Sequence, residues 1–549
     1  MNFKLLLVAV MCVFFMNAQV TNEDVPVSWK LGLTSKQVNT SVFMKDFDLN
    51  TIIAEDAQND TDKSIPYRFG YELKVDLGLE NSGSWYTLDN GDRIWRINIV
   101  SEGAKTMNFI LDSYNIPEGA TLYVYNNDRS DLLGAYTNIF NRPDQMLGTW
   151  LIEGDDVWLE YFEPVSVSGE GDIHISKVIH GYRSVTNEEI ESKALGSSGS
   201  CNRDVDCSIG DDFDELKERL KHAVGFIIMD GFVCTGTLIN NTSNDKAPYF
   251  LTANHCNGGN TATWAFRFNW ISPVPSCATN TESVDAVINQ TTSGATILAT
   301  NTESDFRLLR LDGGLDDSWD LEWAGWDRTG NKPAFVVGIH HPSGDIMKVC
   351  REDNGANDAG KVSIGGISLP VDSWEVEDWD LGVTEGGSSG SALFDQNGRI
   401  VGQLAGGGAL CSGLTDNGAP DYYGRFVISW DFGSSDSSRL SNWLDPENTG
   451  EGTLNMLSQQ DTGPTEPEEI QGDVDVFFNI TKSTVTVANA VSPTLQYIIY
   501  DMTGQKVKSG RLISREQEID LSDKPAGMYF VNIENTENGA SFTKKVIIL

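Results

Sequence analysis

Between residues 67 and 183 short apolar runs at 94–100, 107–111, 121–125 and 157–162 are separated by turn formers such as Asn90-Gly91 and Pro117-Glu118-Gly119. Apolar runs of that length, bounded by turn residues, predict strands, and the region reads as a β-sandwich of its own, free of cysteine. Before it, residues 20 to about 65 are polar and weakly patterned. After it, the small and polar stretch 187–200 reads as a linker. Residues 201 to about 446 again alternate short strands with glycine-rich turns. A helix is expected over 212–221, acidic at its start and carrying Lys217, Arg219 and Lys221 toward its end, as the helix dipole favours. A second linker centres on Thr462-Gly463-Pro464-Thr465-Glu466-Pro467. Beyond it, runs at 497–500, 518–521, 527–533 and 544–549 predict a small separate β-domain.

The length of 549 residues allows roughly three or four domains. A net charge of -40 repels phosphate backbones and anionic membranes, so nucleic acid is excluded as a partner and the acidity reads as a solubility device. The chain opens with Lys4, an apolar run over 5–16, and Met16-Asn17-Ala18 before Gln19. That is the pattern of a signal peptide cut after Ala18. The run is shorter than the ~20 residues of a membrane helix, and no later segment qualifies, so no membrane span is expected. Of 8 cysteines, Cys12 leaves with the signal. The rest, Cys201, Cys207, Cys234, Cys256, Cys277, Cys350 and Cys411, lie in the middle segment, which predicts disulfides confined to one domain with one thiol left over. CxxC and HExxH spacings do not occur, so neither a metal nor a cofactor is expected. The acidic cluster at 372–380 reads as a solvated face rather than a calcium site.

Only 6 histidines occur, which leaves few candidates for a catalytic base. His255 ends the apolar run Tyr249-Phe250-Leu251-Thr252-Ala253-Asn254-His255-Cys256. Downstream, Glu385-Gly386-Gly387-Ser388-Ser389-Gly390-Ser391-Ala392 is a glycine-flanked serine turn in which backbone N–H groups can converge on an oxygen. Between them, Ser304-Asp305-Phe306 leads a further strand. A serine hydroxyl needs a neutral imidazole to take its proton and a carboxylate to fix that imidazole, and Ser389, His255 and Asp305 supply the set. Taken singly, each has a bland reading as a structural histidine, a turn or a strand cap. Their order His, Asp, Ser is that of a chymotrypsin-like double barrel, while the GxSxG elbow of α/β-hydrolases fails because Ser391 stands where its last glycine belongs. The N–H groups of Gly387 and Ser389 are the expected oxyanion donors.

The middle segment resembles the lysyl endopeptidases, secreted bacterial serine proteases of the chymotrypsin-like superfamily. The matching stretches are Gly199-Ser200-Cys201-Asn202, Cys234-Thr235-Gly236-Thr237-Leu238-Ile239-Asn240-Asn241-Thr242, Phe250-Leu251-Thr252-Ala253-Asn254-His255-Cys256, Ser304-Asp305-Phe306, Trp323-Ala324-Gly325-Trp326-Asp327-Arg328, His340-His341-Pro342, Gly387-Ser388-Ser389-Gly390-Ser391 and Arg439-Leu440-Ser441 through Trp443-Leu444-Asp445-Pro446. The resemblance implies disulfides pairing Cys201 with Cys411, Cys207 with Cys277 and Cys234 with Cys256. It leaves Cys350 as a free thiol and assigns His340 and His341 to the framework rather than to a metal. It places the specificity carboxylate at Asp421, whereas the position six residues before the serine, used in trypsin-like enzymes, is Val383. The chain departs from the family at Ala405, where a histidine can follow the Gly-Gln-Leu strand, and this puts strict preference for lysine over arginine in question.

The C-terminal segment resembles the sorting signal of the type IX secretion system of Bacteroidetes, through Asp501-Met502-Thr503-Gly504-Gln505, Pro525-Ala526-Gly527-Met528-Tyr529-Phe530-Val531 and Lys544-Lys545-Val546-Ile547-Ile548. It departs at Val476-Phe477-Phe478-Asn479, where a Pro-Asn-Pro start is expected. The expected organisation is a signal peptide at 1–18, a propeptide with a β-sandwich at 19–193, a trypsin-like serine protease domain at 194–460, a linker at 461–472 and a secretion sorting domain at 473–549. The fold class is mainly β, a chymotrypsin-like double β-barrel between two β-sandwiches. The expected activity is a secreted or cell-surface endopeptidase cutting protein and peptide substrates after lysine, made as a zymogen in an outer-membrane-bearing bacterium and passed to the secretion machinery by its last domain. Lys193 is the only cation between Asn187 and Cys201, so self-processing is expected at the Lys193-Ala194 bond. The alternatives are a broader Lys/Arg or otherwise selective protease, an inactive protease-shaped binding protein and, for the N-terminal sandwich, a permanent binding module.

Overall fold

The computed structural model describes residues 24–32, 41–183, 198–281, 283–286, 290–461, 475–479, 484–488, 495–502, 505–512, 516–535 and 541–548. The expected signal peptide and the Lys193-Ala194 bond lie outside the described residues. The N-terminal runs form two facing antiparallel sheets. One orders the strands Ser41–Phe43, Arg93–Val100, Asp156–Glu163, Thr121–Asn126 and Leu132–Tyr136, with only the first pairing parallel. The other orders Ile152–Glu153, Thr106–Asn115, Asp172–Gly181 and Gly70–Gly78. Alternate residues of Arg93–Val100 show why the sheets stack. Trp95, Ile97 and Ile99 face the shared apolar core. On the opposite face, Arg96 is paired with Glu160 at 3.5 Å and lies 4.4 Å over the Trp158 ring, so its buried charge is compensated.

The polar stretch before the sandwich contains a helix, Leu49–Asn59, capped by Asp48 accepting Thr51 N. Its buried positions are only Ile52 and Asp56. Asp56 meets Arg68 Nε at 2.7 Å and Arg183 Nη2 at 2.7 Å, so ion pairs rather than an apolar stripe dock this helix. Its absence from the sequence reading follows from that.

The cysteine-bearing part is built on two larger sheets. The first orders Thr291–Ser293, Ala265–Phe268, Val224–Met229, Phe232–Leu238, Tyr249–Ala253, Phe306–Leu311 and Ala295–Asn301. The second orders Arg203–Asp204, Lys348–Glu352, Val336–His340, Ala392–Asp395, Arg399–Gly407, Asp421–Arg425, Val371–Val376 and Asn357–Val362. One apolar cluster spans both, from Phe250, Phe266 and Leu308 of the first to Ile339, Phe394 and Ile400 of the second. The helix Asp214–Leu220 sits within the span expected for it. Bonds join Cys201 to Cys411, Cys207 to Cys277 and Cys234 to Cys256, while Cys350 is free and buried.

The sandwich does not keep a core to itself. Its apolar cluster continues into Phe226, Ile228, Val233, Ala265, Trp270 and Ile346 of the cysteine-bearing part. Tyr67–Arg68 adds as an antiparallel strand to Phe232–Leu238, with Tyr67 opposite Val233. Arg142 donates to Ser293 O at 2.5 Å and Lys177 to Asp230 at 2.8 Å. Gly148 is required at this seam, because a Cβ there would lie 1.9 Å from Thr263 O. The chain up to Asp461 forms one compact unit and Thr462–Leu549 a second.

The second unit has a three-stranded sheet ordering Asp475–Asn479, Thr484–Ala488 and Glu516–Asp520, and a four-stranded sheet ordering Lys506–Arg511, Leu495–Asp501, Gly527–Asn535 and Ser541–Ile548. Its core gathers Val485, Val487, Ile499, Val531 and Ile533.

The Cys234–Cys256 bond closes a short loop, with a sequence separation of 22, that ends beside His255. Replacing both cysteines by alanine is expected to lower stability by about 3 kcal/mol through the freed unfolded chain. Denaturant titration of the full chain followed by tryptophan fluorescence measures it.

Candidate active site

Strand pairing brings His255 and Asp305 together. The strand Tyr249–Ala253 pairs with Phe306–Leu311 so that Ala253 lies opposite Phe306, and each functional residue sits just beyond the paired ends. Asn254 N donates to Asp305 O at 2.7 Å. Asp305 adopts a left-handed backbone, φ 54°, which a short polar side chain tolerates and which turns its carboxylate back on the histidine. Oδ1 accepts His255 N at 3.0 Å and Oδ2 lies 2.6 Å from His255 Nδ1. This pairing puts the ring proton on Nδ1 and leaves Nε2 as the basic nitrogen. Arg307 braces the segment by donating to Cys256 O and Asn254 O.

The serine turn is fixed on every side. Thr235 N donates to Ser389 O at 2.9 Å, Gly390 N to Leu404 O at 2.9 Å, and Thr235 Oγ1 to Gly387 O at 2.9 Å. Gly390 has φ +81°, and a Cβ there would stand 2.2 Å from Thr252 Oγ1. Ser388 does not face the site: its Oγ bonds His340 Nδ1 at 2.8 Å and accepts Glu385 N at 3.1 Å. His341 is stacked on Trp270 and bonds Asp345 O through Nδ1 at 2.9 Å. Both histidines are therefore wall material behind the turn.

Asp421 begins the strand Asp421–Arg425 and is completely buried. Its Oδ2 accepts Trp379 Nε1 at 2.9 Å and Thr384 Oγ1 at 2.6 Å. Its Oδ1 receives the ammonium of Lys63, a residue of the N-terminal part, which also donates to Thr384 Oγ1 at 2.7 Å and Ala409 O at 2.9 Å. Lys63 is 3% exposed. At the other end of the same residue, Ser389 Oγ donates to Lys63 O at 2.6 Å. A lysine thus reaches from the serine to the carboxylate. Val383 is a buried member of the neighbouring apolar cluster, as are Cys350 and Tyr423. Burial pushes the Cys350 thiol up, which makes it inert packing.

Residues 195–424 match the family model described as "Lysyl endopeptidase, C-terminal domain". The segment is similar to that family. Residues 475–549 match the model described as "Secretion system C-terminal sorting domain". The curated lysyl endopeptidase of Pseudomonas aeruginosa is 26% identical over 387 residues, covering 65% of this chain and 79% of its own. Among solved structures, the Rv3671c protease of M. tuberculosis in an inactive form shows 15% identity, 38% of this chain, 84% of that chain and a TM-score of 0.25. The human pathogenic astrovirus serine protease shows 14% identity, 38% of this chain, 91% of that chain and a TM-score of 0.23. Superpositions that loose add nothing to the sheets and bonds described above. The family match supports a serine protease, and the type IX sorting domain makes it a secreted or cell-surface protein. Among the described residues, no helix is long and apolar enough to cross a membrane.

Lys63, Trp379 and Thr384 were not singled out from the sequence. Lys63 stands in Asp62-Lys63-Ser64-Ile65-Pro66 with no pattern around it, and its role arises only from contacts more than 300 positions away.

Burial holds His341 down to about 4 and His340 well below its usual value. A neutral folded histidine that charges near 6.5 when unfolded stabilises fully above that pH, and the contribution is lost as pH falls toward 4. Between pH 7 and 5 the full chain is therefore expected to lose about 2 kcal/mol more than its His341→Gln variant. Parallel denaturant titrations at the two pH values read the difference.

Proposed function

We propose that the chain is a zymogen of a lysine-selective serine endopeptidase. The observation that carries this reading is Lys63 itself, with its carbonyl on Ser389 and its ammonium on Asp421. In this reading His255 Nε2 takes the proton of Ser389 as Oγ attacks the carbonyl carbon after lysine. Asp305 holds the imidazole and stabilises its charged form, and the N–H groups of Gly387 and Ser389 receive the oxyanion. His255 then returns the proton to the leaving amine, and water releases the acyl group by the same route.

The pocket chemistry favours lysine over arginine. An ammonium has three hydrogens, and its nearest acceptors, Thr384 Oγ1, Ala409 O and Asp421 Oδ1, surround one point, with Thr384 O farther off at 3.4 Å. A planar guanidinium would place its five donors on a wider fork that these acceptors do not match. A neutral side chain would leave Asp421 buried without a cation, which costs several kcal/mol. Residues 19–193, as the propeptide, cover the serine through Lys63.

Digestion of a denatured protein by the processed enzyme separated from residues 19–193, read by mass spectrometry, is expected to show cuts after lysine and none with Ser389→Ala. Cuts after other residues would discard the lysine reading and keep the triad. No cuts by the folded protease part freed of residues 19–193 would favour a binding protein. Asp421→Asn is expected to lower kcat/KM on lysyl substrates at least ~100-fold, since it breaks a buried pair. A smaller loss on neutral substrates would separate specificity from damage to the triad.

A further inference from the structure

Lys63 is presented on a turn, not on an extended strand. Ile65 N donates to Asp62 O at 3.0 Å, so Lys63 and Ser64 occupy the two corners of a β-turn. Asp62 Oδ1 accepts both Ser64 N and Ser64 Oγ, and Ser64 Oγ in turn accepts Gly366 N at 2.6 Å. The corner is closed both by its own side chains and by the protease.

Attack on a peptide bond requires the carbonyl carbon to face the nucleophile while the oxygen lies among the oxyanion donors. Here the oxygen of Lys63 faces the nucleophile and takes its hydrogen at 2.6 Å. His255 Nε2 has no hydrogen-bond partner. The serine proton is thus engaged by the lysine carbonyl instead of the base, although the side chain fills the pocket as a substrate lysine would.

The rest of the strap is anchored independently of the linker. Tyr67–Arg68 pairs with Phe232–Leu238, and Phe69 N and Gly70 N both donate to Gly231 O, at 2.9 and 3.1 Å. Farther away, Arg142 and Lys177 hold carbonyls and Asp230 of the protease part, and Trp150 packs against Phe226.

We propose that residues 62–68 are a lysine-baited inhibitor that the site binds as substrate and does not cut, and that the N-terminal sandwich stays bound and inhibitory after the linker is severed. The proposal rests on the lysine reading of the pocket. It assigns the partner of the protease face around Gly231, Val233 and Gly366, which is the sandwich of the same chain.

The test uses the full chain carrying Lys193→Ala and a fluorophosphonate that labels Ser389. Slow labelling is expected, rising at least ~100-fold when Lys63→Ala is added. Equal labelling rates in the two chains would overturn the proposal. Wild-type chain, after linker cleavage, is expected to elute as one complex with its Lys63-Ser64 bond intact by mass spectrometry. Separation of the fragments, or cutting of that bond as fast as other lysyl bonds, would overturn it as well. Asp62→Ala, which opens the turn while leaving Lys63 in place, is expected to turn Lys63-Ser64 into a cleaved bond. An uncut bond in that variant, with Ser389 reactive, would refute the role of the turn. Cuts in a denatured protein at residues other than lysine would instead fail the underlying reading of specificity.

Discussion

A carboxylate with no exposed surface needs a cation, and Asp421 is such a carboxylate. Trp379 and Thr384 satisfy one of its oxygens and leave the other facing the pocket. The pocket is therefore electrically incomplete unless an ammonium fills it. In the full chain Lys63 does so, and the same residue brings its carbonyl to Ser389. The requirement of one buried charge thus ties the pocket, the serine and the N-terminal segment into a single arrangement.

The residues of the proposed triad stood out in the sequence because the chemistry asked of them restricts both residue type and context. A histidine ending an apolar strand, an aspartate opening the next and a serine among glycines leave few alternatives in a chain with 6 histidines. The strand pairing Ala253 with Phe306 then makes their meeting a matter of register. The pocket was less legible. Asp421 was nominated only through family resemblance, and Trp379 and Thr384 carried no signal until the fold turned their donors onto it. Lys63 was invisible for a physical reason. A turn residue in a polar stretch acquires a role only when distant acceptors surround it.

The sandwich shows the same limit at the level of domains. Its strands were readable from their apolar runs, but its independence was not. Val224–Met229 is buried at all of its positions, so both faces of that strand are covered. One face belongs to the protease core, while Phe226 and Ile228 join the sandwich cluster. A continuous apolar run in an antiparallel sheet is the sequence trace of such double coverage, because a strand with one wet face would alternate. The helix Leu49–Asn59 left no such trace, since it docks by Asp56 and its arginine partners.

The geometry also separates recognition from reaction. In the proposed reading, recognition needs only the side chain, and the acceptors around Asp421 are met by any lysine whose ammonium reaches them. In the proposed mechanism, reaction needs the main chain, because the carbonyl carbon has to meet Oγ while its oxygen leaves for the N–H groups of Gly387 and Ser389. A turn closed by Asp62 and Ser64 satisfies the first demand and fails the second. Under that proposal the same pocket contacts that would favour cleavage of an extended chain hold the turn on the serine, and the difference between substrate and inhibitor lies in a few backbone torsions rather than in the residue bound.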